Sequence, residues 1–151
     1  MIRTDASQHI AAPPEVVFSY VADADKYLLW QAQVTTYTYD GEPRVGTKAR
    51  AQVRFLGRTM DVVGETTQWD PPKVAAYTLI ESPLPASGAI RCEPSGDGCV
   101  VTQTIEVTAG LGNFFGKIAE PVVVRLYRKQ METNLAMLKE LAEAEAGTTT
   151  T

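Results

Sequence analysis

"GKIAEPVVVRLYRKQMETNLAMLKEL", residues 116–141, reads as a helix that needs a partner surface. Val123, Tyr127, Met131 and Asn134 are spaced three or four apart, so they lie along one side of that helix. The stripe is only partly apolar, because Tyr127, Gln130 and Asn134 lie on it or beside it. Asn134 therefore has two readings: a structural hydrogen-bonder to whatever the helix covers, or a contact for a ligand. Pro121 near the start is expected to end or kink the regular helix, since proline lacks an amide hydrogen and clashes with the preceding turn.

The rest of the chain supplies the partner surface. Its 151 residues fit one domain with a sizeable core, and 44 % hydrophobic with 21 % charged residues is ordinary for a globular protein. A net charge of -4 argues against nucleic acid, whose backbone requires a basic face. No apolar run approaches the roughly 18 residues of a membrane span, so no stable membrane insertion is expected. "MIRTDASQHIAAPPE" contains no apolar signal region, which gives a cytoplasmic expectation. Cys92 and Cys99 match no metal-ligand spacing and read as plain strand or core thiols.

Residues 3–10 read as a strand, followed by a helix at 12–23 whose prolines suit a first turn, and a second short helix at 23–30 capped by Asp23 or Asp25. From about 34 to 108, β-type runs alternate with "DGEP", "LGR", "DPP", "SPLPASG" and "PSGDG". The last segment, about 113–145, is helix, and "GTTTT" reads as a frayed tail. The domain is thus placed at 1–146, with a flexible tail at 147–151.

Within 47–69 a two-residue turn at Gly57-Arg58 predicts a register. Phe55 then faces Met60, Arg54 faces Asp61, Val53 faces Val62, and Arg50 faces Glu65. Ala49, Ala51, Val53, Phe55, Met60, Val62, Gly64 and Thr66 gather on the inner face. Large residues sit near the turn, with Ala51 opposite Gly64 and Ala49 opposite Thr66 further along. Small side chains there leave room on a core-facing surface.

In order along the chain, "IAAPPEVVFSYVADADKYLLW" (10–30), "GEPRVGTKARA" (41–51), "TTQWDPPKVAAYTL" (66–79), "EPSGDGCVVTQTIEV" (93–107) and "FFGKIAEPVVVRLYRKQMETNLAMLKELAE" (114–143) form a recognisable pattern. The whole chain resembles the START-like (SRPBCC) helix-grip superfamily, in particular its polyketide cyclase/dehydrase and lipid-transport group. The resemblance implies an α+β fold. A curved antiparallel sheet of about seven strands wraps a long C-terminal helix, and two short helices follow the first strand. It also implies a cavity between sheet and helix, with the segment before Pro121 at its mouth.

A dry void of 300 Å³, the lower end for ligand pockets, would cost roughly 7 kcal/mol at about 24 cal/mol per Å³. That rivals the net stability of a domain. The space must therefore be filled, wetted or occupied. Phe18, Trp30, Phe55, Tyr77, Phe114, Phe115, Tyr127 and Met131 can fill it, while Gln103, Tyr127 and Asn134 can wet it. The candidate ligand-binding set is Trp30, Ala51, Phe55, Met60, Gly64, Tyr77, Gln103, Phe115, Val123, Tyr127, Met131 and Asn134.

Two functions fit. One is binding of a small hydrophobic molecule of lipid, polyketide or isoprenoid type. The other is a cofactor-independent cyclase, aromatase or dehydratase acting in the same cavity. The arginines of the hairpin face outward, and Arg91 alternates away from Ile90 and Cys92, which weakens acid–base chemistry. A closed core with no ligand is a third possibility. His9 reads as a surface or edge residue. Gly110, Gly112 and Gly116 read as a hinge into the last helix, since their spacing differs from a phosphate loop. No metal or cofactor is expected, and the oligomeric state stays open between monomer and homodimer.

Overall fold

The computed structural model describes residues 2–108 and 119–149. Strand β1 (Ile2–Ile10) leads into α1 (Pro14–Ala22) and α2 (Ala24–Trp30). Strands β2 (Val34–Tyr39), β3 (Lys48–Phe55), β4 (Arg58–Asp70), β5 (Val74–Glu81), β6 (Ala86–Ser95) and β7 (Gly98–Val107) follow, and α3 (Glu120–Thr149) closes the chain. All seven strands form one antiparallel sheet in the order β1-β7-β6-β5-β4-β3-β2. The expected α+β helix-grip arrangement is present.

Local chemistry explains the elements. β1 alternates buried Ile2, Thr4 and Ala6 with exposed Arg3, Asp5 and Ser7, the period of a half-buried strand. Pro14 opens α1, where a missing amide hydrogen costs nothing. The Asp23 carboxylate accepts from the Lys26 N–H at 3.0 Å and caps α2. Bulges interrupt the β4–β5 pairing at Val63/Gly64 and at Thr66/Gln68, and the β2–β3 pairing at Val34/Thr36. Each extra residue bends its strand, so the sheet curls around α3.

The β3–β4 register differs from the expected one. Phe55 pairs with Arg58, Val53 with Met60, Ala51 with Val62, Ala49 with Gly64, and Lys48 with Glu65. The turn is Leu56-Gly57, with φ of 52° and 76°. Positive φ at both central residues is the turn whose twist matches a hairpin, and Gly57 takes one of those positions without penalty. The far end agrees: Thr66 N–H donates to the Thr47 carbonyl at 2.9 Å, and Gly46 N–H to the Thr66 carbonyl at 2.8 Å. Arg54 therefore faces Thr59 and Arg50 faces Val63, so the two expected charge pairs do not form. Arg50 instead bridges to Asp40, Nε to Oδ2, at 3.3 Å.

Two further expectations change. Pro121 lies in the first turn of α3, where the Ala119 carbonyl accepts from Val122 and Val123. Proline is tolerated there, so it begins the helix instead of breaking it. α3 also continues through Thr149, past the expected break at Gly147, as an extension of a run rich in alanine and glutamate. The glycine hinge at 110–116 lies outside the described residues.

The core has two parts. One joins β1, α1, α2, β6 and β7 to Met131, Leu135, Leu138 and Ala142 of α3. The other joins Ile2, Phe55, Leu84, Ala86 and Val107 to Val123, with Met60, Leu79 and Tyr127 packed against it. Cys92 and Cys99 are free thiols in the first part. Burial, then the neighbouring Cys99, pushes the Cys92 thiol up to about 12. His9 is half exposed, its Nε2 lying 3.5 Å from Asp97.

Candidate ligand cavity

Between the two core regions the sheet and α3 do not meet. The gap holds a cavity of about 140 Å³. Left unrelieved, an apolar void of that size costs about 3 kcal/mol at ~24 cal/mol per Å³. One aromatic ring can occupy a space of this order.

α3 contributes Tyr127, Gln130 and Met131 to the wall. The sheet contributes Ala49, Val53 and Phe55 from β3, Met60, Val62, Gly64 and Thr66 from β4, and Tyr77 and Leu79 from β5. β6 and β7 add Ala86, Ala89, Ile90, Gln103, Thr104 and Ile105, and the β5–β6 connection adds Ser82 and Leu84. The segment from α2 into β2 adds Tyr27, Gln31, Gln33, Val34 and Tyr37. Among these described lining residues none is Asp, Glu, Lys, Arg or His.

Aromatic rings shape the space. Phe55 at the hairpin tip stacks on Tyr127 of α3, with centroids 4.3 Å apart and planes 14° from parallel. Tyr27 and Tyr37 meet at 4.5 Å on the α2–β2 side. Tyr77 lies against Gly88: a Cβ there would fall 2.7 Å from the phenol ring, so only glycine lets the ring rest flat. Burial raises the pKa of Tyr27, Tyr37, Tyr77 and Tyr127 above the ordinary phenol value, and neighbouring phenols add to the effect for Tyr27, Tyr37 and Tyr127. All four stay neutral at physiological pH.

A cluster of amides forms one polar end. Asn134 Oδ1 accepts from the Ala32 backbone N–H at 3.3 Å and from Gln130 Nε2 at 3.2 Å. Asn134 Nδ2 donates to Gln31 Oε1 at 3.1 Å and to Gln33 Oε1 at 2.8 Å. Gln33 Nε2 also donates to Gln31 Oε1, at 2.8 Å. Gln31 and Asn134 are both fully buried.

Seven of the sequence candidates border the cavity: Phe55, Met60, Gly64, Tyr77, Gln103, Tyr127 and Met131. Four lie elsewhere. Trp30 is buried against α1, its Nε1 donating to the Tyr20 carbonyl at 2.9 Å. Val123 packs into the core beside Phe55 and Val107. Ala51 pairs with Tyr37 and Val62 and lies off the cavity wall, because the shifted register puts Ala49, not Ala51, opposite Gly64. Asn134 holds the amide cluster from behind and does not line the space. Phe115 lies outside the described residues. Gln31, Gln33, Tyr27 and Tyr37 escaped the sequence reading, although a lone asparagine on an apolar stripe signals that buried partners must exist.

This architecture was compared with known proteins. A family model described as polyketide cyclase / dehydrase and lipid transport matches residues 1–143. The chain belongs to that family. No match to a curated protein was found. Among solved structures, the chain is similar to TTHA0849 from Thermus thermophilus. The TM-score is 0.78 at 21 % identity, over 96 % of this chain and 99 % of that one. It is also similar to a START superfamily protein from Mycobacterium smegmatis, with TM-score 0.74, 16 % identity, and 94 % and 97 % of the two chains covered. The di-domain ARO/CYC StfQ of the steffimycin biosynthetic pathway matches with TM-score 0.78 and 16 % identity, over 97 % of this chain and 52 % of that one. At such identities the likeness concerns the fold.

Proposed function

We propose that this domain binds a small, mainly apolar molecule of lipid, polyketide or isoprenoid type between sheet and α3. The observation that carries the reading is the cavity itself. Ordinary packing would close a gap of about 140 Å³, yet here bulges, small residues and stacked rings keep the walls apart. Its lining is apolar with a few polar points, the usual composition of a ligand site.

Native mass spectrometry of the protein purified from its own host tests this. A retained small molecule, released on denaturation, is the expected result. Protein that carries no ligand and binds no apolar fluorescent probe would overturn it.

Cyclisation or dehydration in the same cavity is the second reading, and the phenols of Tyr77 and Tyr127 are the observation in its favour. They can orient or protonate a substrate oxygen. Held neutral by burial, they are poor bases, and no other described lining group titrates near neutrality. Binding therefore leads. Turnover of a linear poly-β-ketone thioester by the purified domain, lost in Tyr77→Phe or Tyr127→Phe, would reverse the order.

A further inference from the structure

The polar groups of the cavity restrict what can enter it, given that it binds a ligand at all. The amide cluster can be read in only one orientation. A backbone N–H is always a donor, so Ala32 fixes the adjacent atom of Asn134 as its oxygen. The other end of Asn134 must then be its NH₂ group. That group points at Gln31 and Gln33, which fixes the facing atom of Gln31 as an oxygen accepting from both Asn134 and Gln33. The remaining end of Gln31 is consequently Nε2, a donor.

Gln31 Nε2 is buried without a hydrogen-bond partner among the described residues, in a residue that is 0 % exposed and borders the cavity. A buried donor left unmade is costly, so such groups in native proteins have a partner. A second orphan borders the same cavity. Gln103 Oε1, an acceptor on β7, is also buried without a partner among the described residues. The described walls offer no ionised side chain to neutralise a ligand charge.

We propose that the cavity selects an uncharged, oxygen-bearing ligand, whose carbonyl, ether or hydroxyl oxygen accepts from Gln31 Nε2. A hydroxyl on the same ligand, able to donate or accept, pairs with the buried end of the Gln103 amide. A fatty-acid or other carboxylate head is excluded from this end. It would lose its hydration and gain one neutral donor with no counter-charge. A pure hydrocarbon is disfavoured, since it leaves both amides unsatisfied. Gln31 and Gln103 are thus specificity-determining residues, and Asn134 is a positioning residue that aims Gln31. This proposal rests on the binding function proposed above.

Four one-ring probes of similar size separate the possibilities by calorimetric titration at neutral pH. Acetophenone offers an acceptor only, ethylphenol a hydroxyl, ethylbenzene neither, and benzoate a charged acceptor. Acetophenone and ethylphenol should bind the wild type about tenfold more tightly than ethylbenzene, a difference of about 1.4 kcal/mol. Benzoate should bind most weakly. Gln31→Met should erase the advantage of acetophenone over ethylbenzene, and Gln103→Leu should reduce that of ethylphenol while sparing that of acetophenone.

Benzoate binding as tightly as acetophenone, or ethylbenzene matching both oxygenated probes, would overturn the selectivity while leaving the binding function standing. Preferences that survive both substitutions would overturn the assignment to these residues. Binding of no probe at all would remove the binding function, and this proposal with it. Should Gln31→Met fail to fold, the wild-type ranking together with Gln103→Leu decides the matter.

Discussion

The two halves of α3 cover the same sheet and do different things. Its C-terminal half presents Leu135, Leu138 and Ala142 to α1, α2, β6 and β7, and that end packs solidly. Its N-terminal half anchors Val123 in the second core part and then presents Tyr127, Gln130 and Met131 to the hairpin side, where a cavity remains. Asn134 sits at the junction. Branched aliphatic side chains at helical spacing fill a groove efficiently. Stacked rings and amides hold fixed distances and resist collapse. One element thus acts as core over its C-terminal turns and as a cavity wall at Tyr127, Gln130 and Met131.

Substitutions at the two ends should separate stability from binding. Leu138→Ala removes a fully buried side chain from the solid end. A loss of about 2–5 kcal/mol in denaturant unfolding is expected, with unchanged probe affinity per folded molecule. A matching loss of affinity would mean that the two ends are not independent.

At the junction, Asn134→Leu strands the Gln33 oxygen and the Ala32 N–H, and leaves the Gln31 oxygen only its bond from Gln33 Nε2. The expected cost is about 1–3 kcal/mol. Preference among oxygenated probes should also fall, because Gln31 loses its aim. Stability lost with preference intact would make Asn134 purely structural.

The hairpin tip belongs to the cavity end, since it carries the Phe55 ring that stacks on Tyr127. A Cβ at Gly57 would meet no atom within 4 Å, but φ of 76° is strained for the β-branched side chain of Gly57→Val. About 1 kcal/mol of destabilisation is expected in thermal unfolding. No measurable change would argue against the Leu56-Gly57 turn.

The smallest stability effect is expected at Gly64, where a Cβ would meet Leu79 and Tyr77 at 3.5 and 3.6 Å, ordinary contact distances. Gly64→Leu extends into the cavity and should change stability by less than about 1 kcal/mol, below usual overpacking. Affinity for an apolar probe should drop about tenfold, or ~1.4 kcal/mol. Unfolding of this variant would show that the cavity end is packed as tightly as the other.

Much of this was legible in residues alone. Alternation in β1, the proline start of α1, the Asp23 cap and the turn clusters place the elements in order, and the helix stripe requires a sheet to cover. The two-residue period of a strand sorts Ala49, Ala51, Val53, Phe55, Met60, Val62, Gly64 and Thr66 to one face whichever hairpin register holds, and of these all but Ala51 border the cavity. Trp30 and Val123 lie off the cavity because the destination of an apolar residue, core or cavity, depends on which neighbours fill first.

The sequence by itself determined the order of the elements and the inward faces, because both follow from local periodicity and from the cost of exposing apolar surface, and its resemblance to the START-like superfamily supplied the helix-grip fold. The tertiary structure alone decided the register and the polar end of the cavity. A shift of two residues leaves every side chain on the same face, so burial could not distinguish the expected hairpin from the one whose turn twist fits. Gln31 lies 103 positions from Asn134, and nothing local marks either as the other's partner. Only when α3 docks does one backbone N–H orient Asn134, and through it Gln31 Nε2 becomes a buried donor.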